Sequence, residues 1–185
     1  MLRWILAAVL PALLLLAACT HRAAVPPPPP PPPPPAREPE RRVVIPPRTR
    51  PGALTQAERD SLLREVATRR EAWRARQISD YRIEIAVGCF CPWPSHPAVL
   101  EVRRGVATAL RDTTGKSLGK PREPWSRYTV DSLFAAVEQG ARQLDVIEVA
   151  YDPEYNYPAM IRGNGRVGLP DNWFWIKASR LTPSR

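Results

Sequence analysis

The spacing of apolar residues predicts the first element of the chain. Leu62, Val66 and Trp73 recur at a helical spacing, and polar or charged residues fill most positions between them. The segment Thr55–Glu58 precedes them, and its Thr hydroxyl and Glu carboxylate can each bond a main-chain amide that would otherwise lack a partner. We therefore predict a first helix over residues 56–77.

After this helix the spacing of apolar residues changes to the two-residue period that is typical of a strand. Apolar side chains occupy every second position from Tyr81 to Val87, which places them on one side of an extended segment. A second helix is expected to begin behind Thr129, a favourable N-cap, and to end near Gly140. The predicted strands cover residues 81–87, 99–103, 106–110, 144–151, 157–162 and 172–179.

The order of these elements is α-βββ-α-βββ. Strands that follow each other at hairpin distance pair antiparallel, so we expect an α+β fold in which an antiparallel sheet carries both helices on one face. Residues 112–127, which are rich in Gly, Pro, Lys and Arg, are expected to form a surface loop.

An apolar run of a different kind opens the chain. The run from Trp4 to Leu16 is interrupted only by Pro11 and follows the positive Arg3. It is shorter than the ~20 apolar residues that cross a bilayer, so residues 1–18 are predicted to be a cleaved export signal.

The end of that run resembles a known signal. Leu16-Ala17-Ala18-Cys19 is similar to the lipobox of bacterial lipoproteins, whose cysteine becomes the lipidated first residue of the mature protein. The resemblance implies lipid on Cys19 and attachment to a membrane. Because Thr20 rather than Asp follows, it also implies the outer membrane, facing the periplasm. A plain secretory signal cleaved behind Ala18 is the alternative.

Proline dominates the segment behind the cysteine. Residues 19–53 are predicted to be a linker, because the unbroken run Pro26–Pro35 favours a polyproline II rod about 30 Å long. Such a rod suits a spacer, and a docking site for a proline-recognising partner is the alternative. Residues 54–185 are left as one domain, long enough for a core of its own.

The formal net charge of +9 raises the question of partners. A basic chain often binds nucleic acid, but the arginines are scattered among acidic residues and accompany no recognisable nucleic-acid module. We therefore predict no nucleic-acid partner and a solvated surface with some attraction to anionic lipid or cell wall.

Three segments of the domain carry a recognisable pattern: Cys89–Cys91, Thr129–Phe134 and Tyr151–Pro158. On these segments, residues 73–182 resemble a family of small bacterial lipoprotein and secreted domains of unknown function, in which Gly is usual where this chain has Asn156. It implies a shared fold and export, and it implies no known activity or catalytic residue.

The chain offers few residues for catalysis or metal binding. Cys89 and Cys91 are predicted to form a disulfide in the oxidising envelope; two reduced thiols packed as small apolar groups, or a redox-active pair, are the alternatives. With His96 they make fewer ligands than a structural zinc site needs, so no metal or cofactor is predicted. Loop chemistry is preferred to a calcium site around Asp152.

Aromatic residues provide the candidate binding surface. Tyrosine and tryptophan side chains can stack on the sugar rings of a cell wall, although aromatic residues more often fill a core. The candidate surface consists of Tyr151, Asp152, Tyr155, Tyr157, Trp173 and Trp175.

Together these features favour a non-catalytic envelope lipoprotein. Its domain would bind protein or cell-wall partners and would be held off the membrane by the polyproline spacer. The alternative is a redox or hydrolytic envelope enzyme that uses Cys89 and Cys91 or the turn at Asp152.

Overall fold

The computed structural model describes residues 52–89, 96–167, 169 and 172–184. The predicted export signal, Cys19, the polyproline run and Cys91 lie outside these described residues. A short 3-10 helix covers Trp125–Arg127. The other elements, in chain order, are α1 (Gln56–Ala75), β1 (Tyr81–Cys89), β2 (Ala98–Arg103), β3 (Val106–Asp112), β4 (Ser117–Gly119), α2 (Val130–Gln143), β5 (Val146–Tyr151), β6 (Pro158–Asn164) and β7 (Trp173–Pro183).

Helix α1 begins as its sequence predicts. The Thr55 hydroxyl accepts a hydrogen bond from the Glu58 amide, and the Glu58 carboxylate accepts one from the Thr55 amide at 2.8 Å. These two bonds form a capping box, which satisfies two amides that the helix itself cannot pair. Gln77 has left-handed geometry at φ 54° and ends the helix just before the predicted position.

Helix α2 begins at the predicted cap but continues past the predicted end. The Thr129 hydroxyl accepts a hydrogen bond from the Ser132 amide at 3.3 Å. Gly140, which we expected at the end, lies inside the helix. A Cβ at this position would approach the Ile147 Cδ1 atom to 2.5 Å. This glycine therefore allows α2 to pack closely on β5. Among the described residues, neither helix is both long and apolar enough to span a bilayer.

The strands form one seven-stranded sheet in the order β4-β3-β2-β1-β7-β6-β5. Every neighbouring pair is antiparallel, which confirms the predicted α+β class with an antiparallel sheet. The C-terminal strand β7 lies at the centre, between β1 and β6, and it joins the two groups of strands into one sheet.

Strand β4 corrects the predicted element order, which is α-ββββ-α-βββ. It lies within residues 112–127, where we expected only a loop, and all three of its residues are exposed. The turn before it depends on the Asp112 carboxylate, which accepts hydrogen bonds from the Thr114 hydroxyl at 2.6 Å and from the amides of Thr114 and Lys116. These bonds, the one from the Thr114 hydroxyl above all, hold the pKa of Asp112 below its ordinary value.

Both helices cover the same face of the sheet, as predicted. On that face the alternating residues of β1 lie opposite apolar residues of β2 and β7, for example Ile85 opposite Ala98 and Ala178. Val66 and Trp73 of α1 belong to the same buried cluster. Helix α2 contacts β5 and β6, and α1 packs on α2.

Trp73 lies at the centre of this core. Its ring meets the rings of Tyr81 and Tyr157 edge to face, with centroid distances of 5.7 and 6.5 Å. The Tyr81 hydroxyl accepts a hydrogen bond from the Val130 amide at 2.8 Å, which ties the start of β1 to the first turn of α2. Arg70 adds an ion pair of 2.8 Å with Glu138 between the two helices.

Candidate functional site

The turn between β5 and β6 is built around the Asp152 carboxylate. Its Oδ1 atom accepts hydrogen bonds from the amides of Glu154 and Tyr155 at 2.9 and 2.7 Å, the pattern of an Asx turn. The Asn156 amide donates to the Asp152 carbonyl, and Asn156 takes left-handed geometry at φ 63°. Asp152 therefore serves loop geometry, as the sequence predicts.

Arginines of α1 hold this turn against the helix. The Arg69 guanidinium donates to the Asn156 side-chain oxygen at 2.8 Å and lies 5.1 Å from the centre of the Tyr151 ring. Arg76 lies 5.2 Å from the Tyr155 ring and also donates to the carbonyl of a turn residue. These cation–π contacts occupy the faces of both tyrosines.

The tyrosines of the turn thus contribute to the packing of α1 on the sheet. Tyr157 is only 1% exposed and packs on Trp73. The Tyr151 hydroxyl is buried and has no hydrogen-bond partner within the described part of the chain. Burial raises the pKa of Tyr151 above its ordinary value, because the charged phenolate would lose its hydration.

The two tryptophans of the predicted surface lie on the opposite face of the sheet. Phe174 and Ile176 pack against the core, so alternation along β7 directs Trp173 and Trp175 away from the helices. The candidate surface of Tyr151, Asp152, Tyr155, Tyr157, Trp173 and Trp175 is therefore not one surface. Its three tyrosines contact α1, and Asp152 shapes the turn that carries them. Its two tryptophans lie on the face that neither described helix covers, which we call the open face.

The open face is crossed by ion pairs that link neighbouring strands. The Glu101 carboxylate of β2 forms ion pairs with Arg111 of β3 and Arg82 of β1, with nitrogen–oxygen distances of 2.6 and 3.7 Å. The Glu84 carboxylate of β1 forms an ion pair with Arg180 of β7 at 2.8 Å. The hydrogen bond from Arg111, followed by the attraction of the nearby guanidinium groups, holds the pKa of Glu101 below its ordinary value.

Aromatic and polar side chains lie together at the β6–β7 end of the open face. Trp173 is 41% exposed, and Asn164 lies directly opposite it on β6. Arg162 lies directly opposite Trp175 and is exposed. We call Trp173, Trp175, Arg162 and Asn164 the Trp-Arg patch. Arg162 and Asn164 were not predicted from the sequence, because only the register between β6 and β7 places them beside the tryptophans.

The register of β1 explains how Trp175 is held in this patch. Gly88 lies directly opposite Trp175, and a Cβ at Gly88 would stand only 2.1 Å from the Trp175 Nε1 atom. The indole thus occupies the space that any larger residue at position 88 would need. Trp175 is therefore wedged over the neighbouring strand, which limits its motion.

A shallow cleft of about 460 Å³ lies beside α1 and is lined by other residues. Trp73 and Tyr81 form part of its wall, and Arg74, Arg104 and Asp131 bring charge to it. Because Trp73 and Tyr81 already pack on each other, this cleft has less aromatic surface to offer a ligand than the Trp-Arg patch has.

The residues considered for metal or redox chemistry form no metal-binding cluster within the described residues. Cys89 ends β1 opposite Phe174, whereas Cys91 lies outside the described residues, so the predicted disulfide stays a prediction. His96 is exposed. Within the part of the chain that the structure describes, no group of three or more His, Cys, Asp or Glu side chains is placed to hold a metal ion.

Comparison with known proteins gives one match. A model of a family of unknown function, DUF6174, matches residues 65–169, which run from within α1 past the end of β6. Strand β7, with both tryptophans of the Trp-Arg patch, lies beyond the matched residues. No curated protein and no solved structure matches the chain. Because the match spans more than half of the sequence, the chain belongs to this family of unknown function, DUF6174.

Proposed function

We propose that this protein is a lipid-anchored protein of the bacterial cell envelope and that its domain is a non-catalytic binding module. Leu16-Ala17-Ala18-Cys19 supports the anchor, and the run Pro26–Pro35 supports a spacer that holds the domain off the outer membrane. The observation that carries the binding function is the Trp-Arg patch on the open face.

The composition of this patch is typical of a binding surface. Tryptophan and arginine are the residue types that contribute most often to the energetic centre of an interface, since both combine a large contact area with a polar group. Trp173 keeps 41% of its surface exposed. A partner that covered this indole would gain the free energy of removing apolar surface from water.

The surroundings of the patch support its use as a rigid platform. Ion pairs link the neighbouring strands of this face. Glu101 of β2 pairs with Arg82 of β1 and Arg111 of β3, and Glu84 of β1 pairs with Arg180 of β7. Gly88 lets Trp175 wedge over β1. A surface that is already ordered loses less conformational entropy when a partner binds.

The disulfide between Cys89 and Cys91 belongs to the same proposal. An exported domain folds in an oxidising compartment, where two nearby thiols join. Cys89 is the last residue of β1 and follows Gly88, so a bridge here would define the exit of β1 beside the Trp-Arg patch.

Membrane fractionation of cells that express the full chain tests the anchor. We expect the wild type in the membrane fraction and Cys19→Ala in the soluble fraction, because the substitution removes the atom that lipid is attached to. Thr20→Ala is the matched control and should stay in the membrane fraction. Equal membrane retention of the wild type and Cys19→Ala would contradict the anchor.

A further inference from the structure

We propose that the Trp-Arg patch binds the acidic glycan of the cell wall, with sugar rings on Trp173 and Trp175 and a carboxylate on Arg162. This inference rests on the proposed envelope location, and it adds the chemical class of the ligand and the residues that recognise it.

The spacing of the two indoles suits a linear chain of rings. Residues i and i+2 of a strand lie about 6.6 Å apart and face the same side, so Trp173 and Trp175 form two successive platforms along β7. The faces of sugar rings carry C–H groups, which pack on the electron-rich face of an aromatic ring. A glycan strand lying along β7 would thus meet both platforms.

Polar groups beside the platforms add recognition of charge. Arg162 faces Trp175 across the β6–β7 pair, and its guanidinium can donate two parallel hydrogen bonds to a carboxylate. Asn164 faces Trp173 and brings a side-chain amide to the other platform. Both polar residues lie on the same strand, so they follow the same line as the two indoles.

The charge of the surrounding face favours an anionic ligand. Glu101 is shared by Arg82 and Arg111, which leaves a positive charge in excess at that cluster. Arg162 of β6 lies directly opposite Glu148 of β5, and Lys177 of β7 adds a further basic residue, so basic residues still outnumber glutamates on the described part of this face. The resulting potential attracts acidic polymers and disfavours basic ones.

The density of charge distinguishes a glycan from a single-stranded nucleic acid, which also stacks on aromatic side chains. A nucleic acid carries a phosphate at every base and needs a basic groove that follows the whole backbone. On the open face, however, Arg82, Arg111 and Arg180 are engaged by glutamates. Within the Trp-Arg patch Arg162 is the arginine beside the two indoles, and this low density of charge matches a polymer whose charges are sparse.

The test uses the purified full chain and cell-wall sacculi from a Gram-negative bacterium in a sedimentation assay. We expect the wild type to sediment with the sacculi and Trp173→Ala to bind about tenfold more weakly, the loss typical of a truncated aromatic anchor. Trp173→Phe retains a ring and should keep most of the binding. Because residue 173 is exposed, these substitutions leave the core intact.

Arg162→Gln provides the second arm. It should weaken binding severalfold, whereas Arg64→Gln, which removes the same charge from an exposed position on α1, should leave binding unchanged. No sedimentation of the wild type, or equal binding by the wild type, Trp173→Ala and Arg162→Gln, would overturn the proposal. Tighter binding to a single-stranded DNA of about 15 nucleotides than to sacculi would overturn it in favour of nucleic acid.

The assay is independent of the lipid anchor. A failure of sacculus binding would leave the fractionation result for Cys19→Ala unaffected, and a failure of membrane attachment would leave the sedimentation result unaffected. The two proposals can therefore fail separately.

Discussion

The Trp175 indole fills the space beside Gly88, so that a Cβ at position 88 would stand 2.1 Å from the indole Nε1 atom. Two residues that are far apart in the chain thus depend on each other. Glycine is needed at position 88 because a larger residue there and Trp175 cannot occupy the same volume.

Gly88→Ala should lower the free energy of unfolding by about 1–3 kcal/mol, the usual cost of forcing extra atoms into a packed site. The same substitution in a Trp175→Ala background should cost much less, since the clash is gone. Urea unfolding of the four proteins in this cycle measures the coupling. An equal cost of Gly88→Ala in both backgrounds would show that the contact does not constrain position 88.

Two tyrosines whose hydroxyls are buried should respond in opposite ways to loss of the hydroxyl. Tyr81→Phe removes the acceptor of the Val130 amide and should cost about 1–2 kcal/mol of stability, because that amide is left without a partner. Tyr151→Phe removes a buried hydroxyl that has no partner among the described residues, so it should be neutral or stabilising. Thermal unfolding compares the two variants, and similar losses in both would contradict the assignment.

The Glu101 cluster predicts a dependence of stability on acid. The pKa of Glu101 is lowered in the folded protein, mainly by the hydrogen bond from Arg111. The folded state therefore binds this proton less readily than the unfolded state, and the stabilisation is present above the ordinary pKa and is lost as the pH falls below about 5. Glu101→Gln should show a smaller fall in unfolding free energy between pH 6 and pH 3 than the wild type.

Arg111→Gln provides a second measurement of the same cluster, since it removes the first cause of the lowered pKa while Glu101 stays in place. It too should reduce the fall in unfolding free energy between pH 6 and pH 3. Urea midpoints at each pH give the comparison. An equal fall in unfolding free energy in the wild type and both variants would show that this cluster does not contribute to acid unfolding.

The predicted disulfide between Cys89 and Cys91 can be tested by counting free thiols. Mass spectrometry of the exported, alkylated and unreduced protein should find both thiols protected within one chain. Because the ring is very small, its reduction should cost less than about 2 kcal/mol of stability. Two alkylated thiols, or a disulfide-linked dimer, would refute the intramolecular bridge.

Local signals in the sequence predicted most elements of the fold. The cap at Thr55, the cap at Thr129 and the strict alternation from Tyr81 to Val87 all form as expected, because each depends on residues within a few positions of one another. Between the predicted strands 99–103 and 106–110 the chain turns at Arg104 and Gly105, with φ angles of 50° and 75°. Strand β4 was missed, since three exposed residues carry no alternation to read.

The candidate site depends on contacts that a pattern within one segment cannot predict. The predicted strand 172–179 forms, and alternation along β7 places Trp173 and Trp175 on one face and Phe174 on the other. It could not tell which face the turn tyrosines share with α1. Nor could it show that Arg69 reaches Asn156. Those contacts join segments that are distant in the chain, and their partners are chosen only when the helices pack on the sheet.

The sequence by itself therefore determined most of the elements, their caps and the inward and outward sides of the predicted strands, because hydrogen bonds and periodicity within a segment are sufficient for these. Only the tertiary structure decided that β7 lies between β1 and β6 and that Arg162 and Gly88 flank Trp175. The physical reason is that strand pairing is non-local. A shift of one residue in register would keep every local pattern and yet replace every cross-strand neighbour of the patch.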